Sequence, residues 1–231
     1  MKTSRISRSA LDGLTRFDTA TLCNALEVLR PSCRDKGFTR RPLIAARPGL
    51  PPVVGIARVG TIRAEAPAQA PVQDRISWYE YVAAADLPTM VVIQDRDPSP
   101  GTGAFWGEVN SLVHQTLGSV GCVTNGSFRD VIALAEGFQI LGGHVGPSHA
   151  HVHIAGFGEP VEVNGMLVSD GDIVHADYQG AVVVPAELID DVAEAVALVT
   201  RREKLILDAC RDKSFTIATL RAAMARSKDI H

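Results

Sequence analysis

A chain of 231 residues, 46% hydrophobic and 21% charged, can bury one substantial core but is short for two full domains. Its formal net charge of -3 argues against a protein built chiefly to coat nucleic acid or an anionic membrane, and directs attention to a small-molecule ligand. The four cysteines, Cys23, Cys33, Cys122 and Cys210, form no CxxC pair, no apolar run reaches the roughly 18 residues of a membrane span, and residues 1–14 lack the apolar stretch of a secretory signal, so a reduced, cytoplasmic setting is expected.

Residues 1–16, with Lys2, Arg5 and Arg8 among serines, read as a flexible, solvated arm. Over 17–29, Leu22, Ala25, Leu26 and Leu29 recur at helical spacing, with Asp18 or Thr19 as the cap. Pro42, Pro48, Pro51 and Pro52 mark an extended connector leading into a β-branched strand over 53–62. A helix over 76–84 and a strand over 89–94 follow, then a loop rich in proline and glycine over 95–103. The next helix, 108–117, carries Val109, Leu112, Val113 and Leu117 on one face and stops at Gly118. After a strand over 120–124 and an Asn125-Gly126-Ser127 turn, 130–136 reads as a helix stopped by Gly137. Short strands then cover 149–155, 161–163, 166–168 and 173–184, the last interrupted at Gly180, before helices over 186–209 and 216–225. Alternating strands and helices, then a β-rich section, then helices indicate an α/β fold with layered sheets. A catalytic domain over 17–185 would carry a helical extension, 186–231, packed on itself or on a neighbouring subunit.

The chemistry concentrates in 101–130. Ala104, Phe105, Trp106 and Gly107 lead into a helix, where amide N–H groups lack internal partners and the helix dipole favours an anion, so a substrate carboxylate could dock there. Glu108 lies in the first turn, and Arg129 and Asp130 begin the next predicted helix, so both starts could meet in one cleft. Arg129 offers a planar fork to a carboxylate or a developing enolate oxygen; Asp130 and Glu108 are hard oxygen donors suited to magnesium or manganese. Taken alone, an Arg-Asp pair reads more readily as a helix cap beside a surface arginine than as a site. His149, His151 and His153, alternating on a predicted strand, would share one face. They could bind a transition metal, contact substrate carboxylates, or form a polar exposed face. His114, His144 and His175 read as structural, Asp172 and Asp177 as turn residues, Trp78 and Tyr79 as core or interface. The charged helix over 187–204 reads as a solvated face with an apolar stripe for subunit contact.

Trp106-Gly107-Glu108, the helix after it, Val120-Gly121-Cys122-Val123-Thr124-Asn125-Gly126 and Arg129-Asp130 resemble the signature of the RraA-like family, which includes the 4-hydroxy-4-methyl-2-oxoglutarate aldolases. The run from Gly171 to Pro185 resembles that family's second signature. The resemblance implies a single layered α/β/β domain of the swivelling type and a metal-dependent (class II) aldolase that releases pyruvate from a 4-hydroxy-2-oxo acid, with oxaloacetate decarboxylation as a side activity. It further implies that Arg129 and Asp130 bind substrate and a divalent cation (magnesium or manganese), that Glu108 assists through water, and that the amides of 104–107 hold the pyruvate carboxylate. His149 and His151 are added as substrate contacts. A homotrimer or homohexamer with sites between subunits is implied, with no nucleic acid or membrane as partner. Asn24 and Asn125 stand where many relatives carry aspartate, and the histidines stand where aldolase relatives place lysines. Two rivals remain: a non-catalytic regulator that binds a ribonuclease, and a hydrolase with a metal on His149, His151 and His153.

Overall fold

The computed structural model describes residues 6–69 and 73–230. Its first helix, α1 (Arg8–Leu14), falls where the sequence reads as a solvated arm. Ser7 caps it by accepting from the Ala10 N–H at 3.2 Å, and Leu11 and Leu14 are buried. Two fully buried leucines contribute about 1.5–3 kcal/mol each, enough to hold so short a helix against the body. The arm is thus folded from Arg8 onward, because two leucines three residues apart supply an apolar stripe that the surrounding charges hide. Helix α2 (Thr19–Leu29) is capped by Asp18, as expected, and a 3-10 turn, Pro31–Arg34, follows.

The strands and remaining helices come in this order: β1 (Ile44–Ala45), β2 (Val53–Arg63), α3 (Arg75–Ala83), β3 (Thr89–Asp95), β4 (Ala104–Trp106), α4 (Glu108–Thr116), β5 (Ser119–Thr124), β6 (Ser127–Phe128), β7 (Gln139–Gly142), β8 (His144–Val145), β9 (His153–Phe157), β10 (Val161–Val163), β11 (Met166–Val168), β12 (Ile173–Asp177) and β13 (Gly180–Val184). Helices α5 (Val192–Arg211) and α6 (Ile217–Lys228) close the chain. The main sheet runs β1-β7-β5-β3-β2-β12-β13. β2, β3, β5 and β7 are parallel, the first two crossovers carrying α3 and α4 and the third only β6 and turns, and the others pair antiparallel. The 11-residue β2 is long enough to serve β12 with its first half and β9 with its second, which curls the sheet. β4, β6 and β8 form a small parallel sheet, and β10–β11 a hairpin whose Val161, Val163, Met166 and Val168 cover Ala57, Val59, Met90 and Val92.

Two expectations are corrected. Residues 130–136 form turns, not a helix: Asp130 takes a left-handed φ of 54°, and Leu134 and Ala135 go into the core, Ala135 donating its N–H to Ser111 Oγ at 3.0 Å. Good helix formers lose here to long-range packing. Along α4 the apolar face is turned outward at its start, with Val109 72% and Leu112 55% exposed, while Ser111 and His114 face the core and Leu117 packs partly against it. The apolar stripe of α5, Val192, Ala195, Val196 and Val199, is buried within the chain, the first three in the cluster of α1 and α2, so it is not free for a subunit contact.

Candidate active site

The small parallel sheet explains why distant segments meet. Parallel pairing of β4 with β6 sets their C-terminal ends at the same edge, so that Gly107 and Glu108, which follow β4, lie beside Arg129 and Asp130, which follow β6. Arg129 N–H donates to Trp106 O at 2.9 Å and locks the register. Asp130 Oδ2 accepts from the Glu108 N–H at 3.3 Å and lies 3.4 Å from Arg129 Nε. Glycine at 107 gives this approach its room: a Cβ there would come within 2.6 Å of Asp130 Oδ2 and 3.2 Å of Arg129 Cγ, and those side chains would have to shift. Arg129 and Asp130 side chains keep about a third of their surface in solvent, 36% and 40%.

These residues line a cleft of about 740 Å³ together with Arg75, Ala104, Phe105, Val109, Asn110 and the segment from His149 to His153. The structure therefore brings together Glu108, Arg129, Asp130, His149 and His151, as the sequence suggests, and adds His153, Arg75 and Asn110. Arg75 sits at the start of α3 and carries no motif; Asn110 lies two residues after the Trp-Gly-Glu run. Trp106 is buried, its ring 4.6 Å from that of His114, and the Ala104 N–H is taken by Ser148 O at 2.9 Å. The Ala104 N–H is thereby withdrawn from any ligand, and at the start of α4 the Glu108 N–H is given to Asp130.

Below the cleft a buried polar chain fixes α4. Trp78 Nε1–H donates to His114 Nε2 at 2.9 Å, and His114 Nδ1–H to Asn110 O at 2.7 Å. Both ring nitrogens are thereby assigned to the neutral form, and burial pushes the imidazole pKa down to about 4. Tyr79 Oη–H donates to Asn110 Oδ1 at 2.9 Å, and Asn110 Nδ2–H to Phe105 O, tying α3, α4 and β4. The structural role expected of His114 is met, Trp78 lies in the core and Tyr79 packs against it.

The histidines do not share a strand face. β9 begins only at His153; the residues before it turn, with Ala150 at a left-handed φ of 42°. They reach one cleft through that turn, and no group of three or more His, Cys, Asp or Glu able to hold a metal ion occurs among the described residues. Neither asparagine lines the cleft. Asn125 Oδ1 accepts from the Asp95 N–H at 2.7 Å and its Nδ2 donates to Asp95 O at 2.9 Å, a two-way bridge that an aspartate, lacking a donor, could not complete. Asn24 reaches Glu203 at 3.4 Å. His175, Asp172 and Asp177 are structural: Asp177 takes the Thr19 and Gln179 N–H groups, each at 2.8 Å, and Asp172 the Ser169 N–H at 2.8 Å. No described helix is long and apolar enough to cross a membrane.

Solved structures share this fold. An uncharacterized protein from Pseudomonas syringae pv. tomato str. DC3000 is 22% identical with a TM-score of 0.73, covering 98% of this chain and 97% of that one. Streptomyces coelicolor RraAS2, described as an unusual member of the RNase ES inhibitor RraA protein family, is 24% identical with a TM-score of 0.67, covering 87% and 96%. A structure described among novel cellulases from microbes of the gut ecosystem is 16% identical with a TM-score of 0.71, covering 88% and 89%. At these identities the likeness is one of fold. No curated protein matches the chain. The model of the RraA-like family, described as Aldolase/RraA, matches residues 19–183, a span that contains every residue of the cleft, and the chain belongs to that family.

Proposed function

We propose that the protein is a divalent-metal-dependent carbon–carbon lyase that cleaves a 4-hydroxy-2-oxo acid to pyruvate and a second carbonyl compound, with oxaloacetate decarboxylation as a side activity. The observation that carries this reading is the junction of Arg129 and Asp130 with the start of α4, built around Gly107 in the large cleft. Two carboxylates, Asp130 and Glu108, offer hard oxygen donors there. So sparse a set suits magnesium or manganese, which keep several waters and complete their shell with substrate oxygens, better than zinc in a closed nitrogen cage. When bound by Asp130 and Glu108, such an ion would supply Lewis acidity to the 2-oxo acid. Gly107 and the first turn of α4 hold the substrate carboxylate. The Arg129 guanidinium stabilises the negative charge that develops on the 2-oxo oxygen as the carbon–carbon bond breaks. Glu108 takes the proton of the 4-hydroxyl group through a water, the neighbouring imidazoles being the other bases within the cleft.

Pyruvate release from 4-hydroxy-2-oxo acids with added magnesium tests this reading. Arg129→Ala and Asp130→Ala are each expected to lower kcat by about 10²–10³-fold while leaving the fold intact. A wild-type protein that forms no pyruvate from any such acid or from oxaloacetate overturns it. The likeness to RraAS2 supports a second reading, a regulator that binds a ribonuclease. Capture of a ribonuclease together with absence of lyase activity would establish that one instead.

The assembly belongs to the same proposal. Val109, Leu112 and Ile132 are 72%, 55% and 98% exposed, and Val109 lies on the cleft wall, so a homotrimer or paired trimers would cover them and close the cleft. Leu112→Asp is expected to yield monomers in light scattering with unchanged helical content. A wild-type protein that is already monomeric removes the assembly.

A further inference from the structure

The segment from His149 to His153 gives the cleft a feature the lyase chemistry does not require. His149 Nδ1 lies 2.8 Å from Ala150 O, and His153 Nδ1 lies 2.8 Å from His151 O. A carbonyl oxygen only accepts, so each Nδ1 carries a proton and Nε2 is the atom that gains or loses one. The His151 N–H is fixed to Ala64 O at 3.2 Å, and the left-handed Ala150 between the rings holds the turn in place. All three histidines line the cleft and none is buried.

The charged groups around them are few. In the cleft they are Arg75, Glu108, Arg129 and Asp130. Along the adjoining groove, which His153 also lines, they are Arg63, Glu65 and Asp97; Asp97 is already tied to the Ala64 and Glu65 N–H groups and lies 3.8 Å from Arg63. With neutral imidazoles, the two guanidiniums and two carboxylates of the cleft cancel. Protonation adds up to three positive charges on the same wall, and histidine is the side chain whose charge changes in the physiological range.

We infer that His149, His151 and His153, with Arg75, form a pH-gated subsite that selects ligands by the charge of the end remote from the 2-oxo acid. A second carboxylate is favoured when the imidazoles are protonated; when they are neutral the preference falls away. The identity of the 2-oxo acid head rests on the lyase reading, whereas the charge selection rests on the histidine geometry alone.

Calorimetric binding of 2-oxoglutarate, with two carboxylates, and of 2-oxobutyrate, with one, in magnesium buffer separates the two. From about pH 8 to about pH 6, 2-oxoglutarate is expected to bind about tenfold more tightly and 2-oxobutyrate to change less than about twofold. Replacing all three histidines with glutamine removes the difference, and His153→Gln alone removes part of it, which preserves the test if the triple variant does not fold. Arg75→Gln weakens 2-oxoglutarate at both pH values and leaves the pH response in place. Equal pH responses for the two ligands, or a triple variant that keeps the response, overturns the subsite and leaves the lyase reading standing if pyruvate is released. Failure of both ligands to bind at either pH overturns the subsite, and pyruvate release then decides the lyase reading separately.

Discussion

The two stretches that carry the family signature treat their polar groups in opposite ways. In β12 and the turn after it, Asp177 is 2% exposed and both carboxylate oxygens accept backbone N–H groups at 2.8 Å, while the buried His175 meets Thr19 Oγ1 and Phe17 O. Every such group has a near partner, and the result is a joint between α2 and the sheet. Around Gly107 the carboxylate of Asp130 is half-exposed, its contacts are 3.3 and 3.4 Å long, and its backbone is left-handed. A left-handed residue other than glycine costs about 1 kcal/mol or more, less for aspartate than for most. Acidic and imidazole groups thus hold the fold where they are satisfied, and remain open to a ligand where they are not.

Breaking the open region should be felt in activity before stability. Gly107→Ala forces a Cβ onto Asp130 Oδ2 and Arg129, and is expected to lower kcat by about a hundredfold or more, with secondary structure retained in circular dichroism. Wild-type turnover in that variant would show that the close approach is dispensable.

Acid should act on the satisfied groups instead. Because the folded pKa of His114 is about 4, below the ordinary histidine value of 6.5, the unfolded chain takes up the proton first as pH falls. The stability tied to neutral His114 is therefore complete above about pH 6.5 and is lost as pH falls toward about 4, by roughly 3 kcal/mol. His175, also lowered by burial, acts with the same sign. Urea unfolding at a series of pH values should show this slope, and His114→Gln should flatten it; an unchanged slope would assign the acid sensitivity elsewhere.

The smallest of these effects sharpens the contrast most directly. Asp177→Asn turns one acceptor of a buried pair toward an N–H group, and should cost about 2 kcal/mol in urea unfolding while kcat of the folded protein stays at the wild-type value. A loss of kcat there would mean that the joint reaches the cleft.

Much of this was legible from residue order. The β-branched runs at β2, β3 and β5, the hairpin β10–β11, the Asp18 cap and the break at Gly180 follow from local pattern, and the structure places each within a residue or two. Two of the departures share one cause. Asp130 and Ala150 adopt left-handed backbone without glycine, so nothing in the letters announces the turns that replace a helix at 130–136 and a strand at 149–152. Likewise α4 has an apolar face by spacing, yet Ser111 and His114 take the core because Ala135 and Trp78 lie there to bond them.

The sequence by itself therefore determined the α/β class, most elements and the family, because periodicity and signature residues are local properties that a chain carries in any state. Tertiary structure alone decided that Glu108, Arg129, Asp130, Arg75 and three histidines share one cleft. That meeting depends on the parallel pairing of β4 with β6 and on two left-handed turns, which only long-range contacts hold in place.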